Sequence, residues 1–463
     1  MRHPVMTNQT WRVALAASAF LSVAVPVAWD ASGRIEALWP VRNVIAHDVA
    51  HDVAGILTAV VPMDIQSADT GSLRGTVHDD GGRPVPRATV LVAMPDGSVT
   101  EARTLADGTW TLTGIPVGRH PVWIGAPGFA PVTMIHRADA GLTGRLRAWF
   151  EPGIDVASGT VAAGTRIDAV LTTETPPIPV PDTPETVTDA TEATLSCERP
   201  VASTARRSDV TIPKMGVPSG EIFRYRTDAA TDASQPDGRR TLLVVYPGPA
   251  SQWECASIPL ASAGFEVFAY GPPYTFAIER EIRILRLLLA SLGTGDPVGR
   301  SAESRPMQSR PAILAGSYSA IHALRVVQDT GAGTIGAVVL MGPPVDLLDL
   351  RHRLETGDYR PPFGLDRALI ALGMPDREVA RHARYSARFH VTAVHPPTLV
   401  IHSRSDDVVP VAQGEAYLSA LRDAGVTAEG MILEGGGHYL LSTGGGEADA
   451  ILSRTVAFLM AHP

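Results

Sequence analysis

The chain has 463 residues, 45% of them hydrophobic and 19% charged, a globular composition spread over more length than one ordinary core takes up, so two or three folded units are expected. A formal net charge of -9, with no basic stripe carrying interleaved aromatics, excludes nucleic acid as a partner. Two cysteines, Cys197 and Cys255, stand outside any metal-ligand pair and exclude a structural zinc; lysine occurs once, at Lys214, a bias expected of a GC-rich bacterial genome.

Arg2 and Arg12 precede an uncharged run from Val13 to Trp29, the layout of an export signal or an uncleaved membrane anchor, so residues 1–30 predict an exported protein that is secreted, periplasmic or held at the cell envelope. Any membrane association would run through residues 13–29. The connector at 31–70 holds His47, Asp48, His51 and Asp52 at helical spacing; such a set reads more simply as a solvated face than as a metal site.

From Gly71 short β-prone runs (LRGTVHD, ATVLVAM, TWTLTGI, HPVWIGA) alternate with Gly, Pro and Asp, the texture of a small antiparallel sandwich over 71–172. Val90, Val92, Trp110, Leu112, Val122 and Ile124 alternate inward, and Asp107-Gly108 suits a tight hairpin turn. The paired glycines of GTVHDDGGRP, the "DG-aromatic" hairpin, the "P-x-G" turn and the closing "A-x-GF" resemble the carboxypeptidase regulatory-like domain. That resemblance implies an accessory or docking module rather than a catalytic one. Residues 173–195, rich in Pro, Thr and acidic side chains, read as a semi-extended linker.

Beyond the linker, apolar runs (TLLVVYPG, FEVFAYGPP, AILAG, GAVVLMGPP, TLVIHS, AEGMILEG) alternate with helical stretches. This pattern predicts an α/β fold, a three-layer sandwich on a mostly parallel sheet, over 196–463. Ile278, Ile282, Leu285, Leu289 and Leu292 recur at steps of three and four and mark one helix packed on that sheet.

AILAGSYSAIHALRVV passes from a strand through a turn of small residues into a helix, with Ser317 at the turn. A nucleophile elbow needs small residues two before and two after its serine, and Ala315 and Ser319 supply them in place of the more usual glycines. Ser319 as nucleophile would put Ile321 at a crowded position, so Ser317 is preferred. A serine needs a general base, and the base needs a carboxylate. Asp406, in SRSDDVVP, and His438, in GGGHYLL, each follow a predicted strand and complete the chain order Ser, Asp, His. Asp407 and Asp346 are alternative acids, while His322 and His402 read as packing residues.

The "D-x-x-V-P" and "G-G-H" segments resemble the α/β-hydrolase superfamily, in particular the prolyl-oligopeptidase-like and dienelactone-hydrolase-like catalytic domains. The resemblance implies a serine hydrolase acting on a small-molecule ester or peptide, with no metal or organic cofactor. Its oxyanion hole would take the Tyr318 amide and one from the loop after TLLVVYPG. There Pro247-Gly248 replaces the usual His-Gly pair and Pro249 has no N–H, leaving Gly248, Ala250 or Ser251. Trp253, Tyr274 and Tyr439 are candidates to line the substrate pocket, and the arginine-bearing stretch 344–390 is a candidate cap. If the protein is exported, Cys197 and Cys255 form one disulfide; otherwise they are two buried thiols. A carboxylic ester is the expected substrate, with a peptide or amide as the second reading. A degenerate hydrolase on a cell-surface binding protein is a third, motivated by Pro249 and the non-glycine elbow.

Overall fold

The computed structural model describes residues 70–94, 97–116, 119–137, 165–172, 188–193, 197, 205–211, 222–227, 240–272, 276–293, 310–330, 333–362, 365–441 and 446–462. The export run, residues 31–69 of the connector and Tyr274 lie outside these. Contacts group Gln66–Asp366 with Met374–Pro463 in one compact unit, to which Arg367–Gly373 does not belong.

The N-terminal region is two facing sheets. β1 (Thr70–Asp79), β2 (Thr89–Ala93), β3 (Val99–Arg103), β4 (Thr109–Pro116), β5 (Arg119–Gly125) and β6 (Val132–Arg137) are followed by the short β7 (Thr165–Arg166) and β8 (Ala169–Leu171). One sheet runs β4-β1-β7, with β8 also on β1, and the other runs β3-β2-β5-β6. All six residues expected to alternate inward sit in the core between them, with Leu73, Val77 and Ile167. The Asp107-Gly108 turn forms as its chemistry requires: Gly108 has φ 77°, and the Asp107 carboxylate accepts from the Thr109 amide and hydroxyl.

The second region is built on one nine-stranded sheet. It comprises β9 (Thr188–Ala193), β10 (Ala205–Thr211), β11 (Ile222–Thr227), β12 (Arg240–Val245), β13 (Phe265–Tyr270), β14 (Ala312–Gly316), β15 (Val338–Met341), β16 (Thr398–Ser403) and β17 (Ala428–Leu433). Their order is β17-β16-β15-β14-β12-β13-β11-β10-β9. Pairing is parallel from β13 to β17, and the first three strands are antiparallel. β9 falls inside the stretch read as a linker. An edge strand needs backbone hydrogen bonds to one neighbour only, so it leaves no apolar run for a sequence reading to find.

Helices α1 (Glu254–Ser262), α2 (Ile278–Gly293), α3 (Ser319–Thr330), α4 (Leu347–Thr356), α5 (Leu365–Ala371), α6 (Pro375–Tyr385), α7 (Val411–Asp423) and α8 (Gly446–Ala461) follow their strands. α1 and α8 cover one face, where Ile258, Leu260, Ile451 and Phe458 join Leu242, Val244 and Leu314 in the core. α2 and α3 pack together and against β12, and the five apolar positions expected to bind α2 to the sheet are all buried. The α/β three-layer architecture anticipated from the apolar runs is the one formed.

Cys197 and Cys255 form a disulfide, Cα to Cα 5.3 Å. The adjacent Glu254, 1% exposed, accepts from the Cys197 amide at 2.7 Å and from Arg207 at 2.7 Å, which ties the segment before β10 to the first turn of α1.

Candidate active site

The strand-to-helix turn between β14 and α3 forces Ser317 into the left-handed region, φ 51°. A non-glycine residue at positive φ is strained, and here the surroundings hold it. Its amide donates to Met341 O at 2.9 Å, and its carbonyl accepts from Ala320 N at 2.9 Å as α3 begins. Gly316 is required by packing: a Cβ there would stand 2.0 Å from the Tyr246 ring. Ala315 and Ser319, the small flanking residues, are fully buried. Ser319 is the first residue of α3, its hydroxyl enclosed, so it has no access to a substrate.

The loops after β16 and β17 bring the other two expected groups to the same point. Ser317 Oγ donates to His438 Nε2 at 2.8 Å, and His438 Nδ1 donates to Asp406 at 2.8 Å and 3.0 Å on its two oxygens. A carboxylate only accepts, so the proton sits on Nδ1 and the Nε2 lone pair faces the serine. Asp406 Oδ1 also accepts from the amides of Val408 at 2.9 Å and Val409 at 2.7 Å. Burial pushes the Asp406 carboxyl up, but the hydrogen bonds from His402 and His438, the His438 charge and the Val409 amide outweigh it and hold it at about 2. Ser317, Asp406 and His438 are 5%, 8% and 5% exposed, so a substrate meets them in a largely dry setting where charge interactions are strong.

The other candidates fall elsewhere. Asp407 is exposed. Asp346 caps α4, accepting from the amides of Leu348 and Asp349, and pairs with Arg388 at 2.5 Å. His322 faces Glu281 at 2.8 Å, and the Tyr318 hydroxyl donates to the same carboxylate at 3.0 Å, so Tyr318 is locked by its side chain just beyond the nucleophile. Trp253 is 9% exposed and packs on Tyr246, ring centres 4.0 Å apart, and Tyr246 in turn lies 6.4 Å from the His438 ring. Tyr439 is 42% exposed and sets its ring edge-on to His438, centres 5.4 Å apart, at the mouth of the site. Gly248 is partly exposed with φ 114°, while Ala250 is 1% exposed. The end of β13 packs on this loop, since a Cβ on Gly271 would stand 2.5 Å from Ala250 N. The arginines of the 344–390 stretch largely serve internal pairs: Arg351 with Glu355, Arg353 with Asp349, Arg384 with Glu279 and Arg388 with Asp346.

Two contributors escaped the sequence reading. Gly342, φ 53°, lies against the array, where a Cβ would be 3.0 Å from Asp406 Oδ2 and 3.3 Å from His438. His402, fully buried, brings Nε2 to 3.4 Å from Asp406 Oδ2. The only signal for the first was a glycine directly after a strand; the second is masked by its place inside an apolar strand. Among the described residues no group of three His, Cys, Asp or Glu side chains could hold a metal ion, and no helix is long and apolar enough to cross a membrane.

Residues 72–150 match the family model of the carboxypeptidase regulatory-like domain, and residues 361–462 that of the prolyl oligopeptidase family. The second match takes in Asp406 and His438 but not Ser317. Over 95 residues the chain is 34% identical to the non-reducing polyketide synthases mapC and mapC' of Penicillium brevicompactum, 20% of this chain and only 4% of each synthase. Solved structures it resembles include carboxyl esterase 2 of Tuber melanosporum, 16% identical over 57% of this chain and 90% of that one, TM-score 0.43. They also include an esterase of Thermogutta terrifontis, 19% identical over 52% of this chain and 88% of that one, TM-score 0.36.

Proposed function

From the Ser317, His438 and Asp406 array, in a chain whose residues 72–150 match the carboxypeptidase regulatory-like domain and 361–462 the prolyl oligopeptidase family, we propose a serine hydrolase that cleaves a carboxylic ester through an acyl-enzyme on Ser317. The observation that carries the reading is the single imidazole placed 2.8 Å from both the Ser317 hydroxyl and the Asp406 carboxylate. Ser317 Oγ attacks the ester carbonyl carbon while its proton passes to His438 Nε2, and Asp406 stabilises the imidazolium and keeps its orientation. The C–O bond to the alcohol then breaks, and the alcohol leaves with the proton from Nε2. Water then attacks the acyl carbon and passes a proton to Nε2; the bond to Ser317 Oγ breaks, Oγ takes that proton back from Nε2, and the carboxylic acid leaves. The carbonyl oxygen, negative in each tetrahedral stage, takes the Tyr318 amide and one loop amide, from Gly248 or Ala250.

A peptide or amide substrate is the second reading, favoured by the match of residues 361–462 to the prolyl oligopeptidase family. Both readings use the same acyl-enzyme, so the leaving group decides between them. Export is supported by the disulfide, a bond that persists in oxidising compartments.

The test is turnover of p-nitrophenyl esters and of p-nitroanilide peptides by the full chain, beside Ser317→Ala. Ester turnover that falls by on the order of 10⁶-fold in the variant, with anilide turnover far slower in the wild type, is expected. Faster anilide turnover would make it a peptidase. Neither activity in folded protein would leave the sandwich as the working part of a binding protein.

A further inference from the structure

Asp406 is contacted by two histidines. His438 reaches it from the loop after β17, and His402, at the end of β16, brings Nε2 to 3.4 Å from Oδ2. The same Nε2 lies 2.8 Å from the Val409 carbonyl. A carbonyl oxygen only accepts, so the His402 proton is on Nε2, which donates to Val409 O and leans toward the carboxylate as a second, longer acceptor. The Val409 amide in turn donates to Asp406 Oδ1 at 2.7 Å. The imidazole thus bonds one end of the peptide unit chain that cradles the carboxylate and the carboxylate itself. His402 Nδ1 is enclosed among the described residues without a hydrogen-bond partner, so the ring is fastened through Nε2 alone.

The fold makes room for this ring. Gly414, inside α7, stands so close that a Cβ would lie 2.5 Å from His402 Nδ1. Glycine inside a helix weakens it, so its presence at this point is explained by the imidazole it admits. Gly342 gives the equivalent clearance beside Asp406 and His438. On the far side of the same turn Tyr359 donates its hydroxyl to Val408 O, which fixes residues 406–409 from α4's end of the chain.

We propose that His402 is a positioning residue for the proposed hydrolysis: its Nε2–H holds the Asp406 carboxylate and the Val409 peptide so that the carboxylate meets His438 Nδ1. The proposal rests on the reading of Ser317, Asp406 and His438 as a working triad, and its test has one readout that does not need turnover. His402→Leu removes the donor; His402→Gln keeps an N–H donor at similar reach; Gly414→Ala keeps every polar atom but crowds the ring. In the wild type the His438 Nδ1 proton, shared with a carboxylate, is expected as a far-downfield proton NMR signal. It should shift or broaden in His402→Leu and in Gly414→Ala and return toward its wild-type position in His402→Gln. Ester kcat/KM should follow, falling by about 10- to 100-fold in the first two and recovering to within a few-fold in the third. Alanine inside a helix favours folding, so a Gly414→Ala protein that loses rate without losing thermal stability speaks for the ring and against general damage. An unchanged signal in folded His402→Leu or Gly414→Ala overturns the proposal, as does His402→Gln behaving like His402→Leu, which would reduce the residue to packing. Wild-type protein with the signal but no turnover would count against the hydrolase reading, while the signal's response to the variants would still decide the role of His402.

Discussion

Around the Ser317 hydroxyl, geometry is enforced mainly by what is missing. Gly316 leaves space for the Tyr246 ring, and Gly342 for the Asp406 and His438 side chains. Gly342→Ala adds a methyl 3.0 Å from a carboxylate oxygen at a residue whose φ is 53°, so the neighbour must move and the backbone is strained together. Displacing an acid or base by about an ångström costs on the order of 10²-fold in rate, and that is the fall expected in ester kcat/KM of this variant, measured beside its circular dichroism. The Asp406 carboxyl adds a pH prediction. Its folded value of about 2 lies below the unfolded value near 3.9, so the stability it contributes is present above about pH 4 and is lost as pH falls toward 2. Denaturant midpoints of the wild type should therefore drop over that window more than those of Asp406→Asn.

The sequence revealed these positions unevenly, for physical reasons. Ser317, Asp406 and His438 each stand in a loop directly after an apolar strand, where a polar residue among small ones is conspicuous. His402 lies inside the strand TLVIHS and looks like packing until a three-dimensional neighbour is known. Trp253 is a candidate pocket residue because it is close in sequence to the Pro247-Gly248 turn; the short helical turn Ala250–Trp253 brings it onto Tyr246, a contact the sequence does not show.

Among the elements, β2 is the instructive one. Its five residues are all buried, which an antiparallel strand with one wet face would not show. Val90 and Val92 enter the sandwich core, while Leu91 and Ala93, with Trp123 of β5, turn outward onto Leu348 of α4, Val379 and Ala383 of α6, and Phe389. The unbroken run ATVLVAM was thus the mark of a strand covered on both sides, and the second cover belongs to the next domain. β9 shows the reverse: a polar, acidic segment that is nevertheless a strand because β10 pairs with its backbone. The covalent tie between Cys197 and α1 closes a loop spanning 58 positions, for which chain entropy gives about 4 kcal/mol. Reducing it, or replacing both cysteines by alanine, should lower unfolding free energy by about that amount with the Ser317 site intact, as read from denaturant titration with esterase activity of the native fraction.

For the molecule as a whole, the sandwich and the hydrolase-like region meet through both ion pairs and apolar side chains. Arg388 stands between them, with Nε 2.5 Å from Asp346 and a terminal nitrogen 2.7 Å from Glu101 of β3. Trp123 and Phe389 face each other beside it, ring centres 6.2 Å apart. The sandwich is therefore docked on α4, α6 and Phe389, and it braces them. Arg388→Leu leaves the buried Asp346 without its guanidinium, while Glu101 keeps Arg103; since the arginine retains some solvent, a loss of about 3 kcal/mol, at the low end for a broken buried pair, is expected by denaturant titration. A fragment beginning at residue 188 would bare Leu348, Val379 and Phe389, and it should associate where the full chain stays dispersed, as light scattering would detect.

The most direct measurement is to treat the full chain with a fluorophosphonate and locate the adduct by peptide mass mapping. One phosphonyl group per chain on Ser317, absent after His438→Ala and Ser317→Ala, is the predicted result. An adduct on another residue, or none on a protein shown to be folded, would contradict the assignment of Ser317 as the nucleophile.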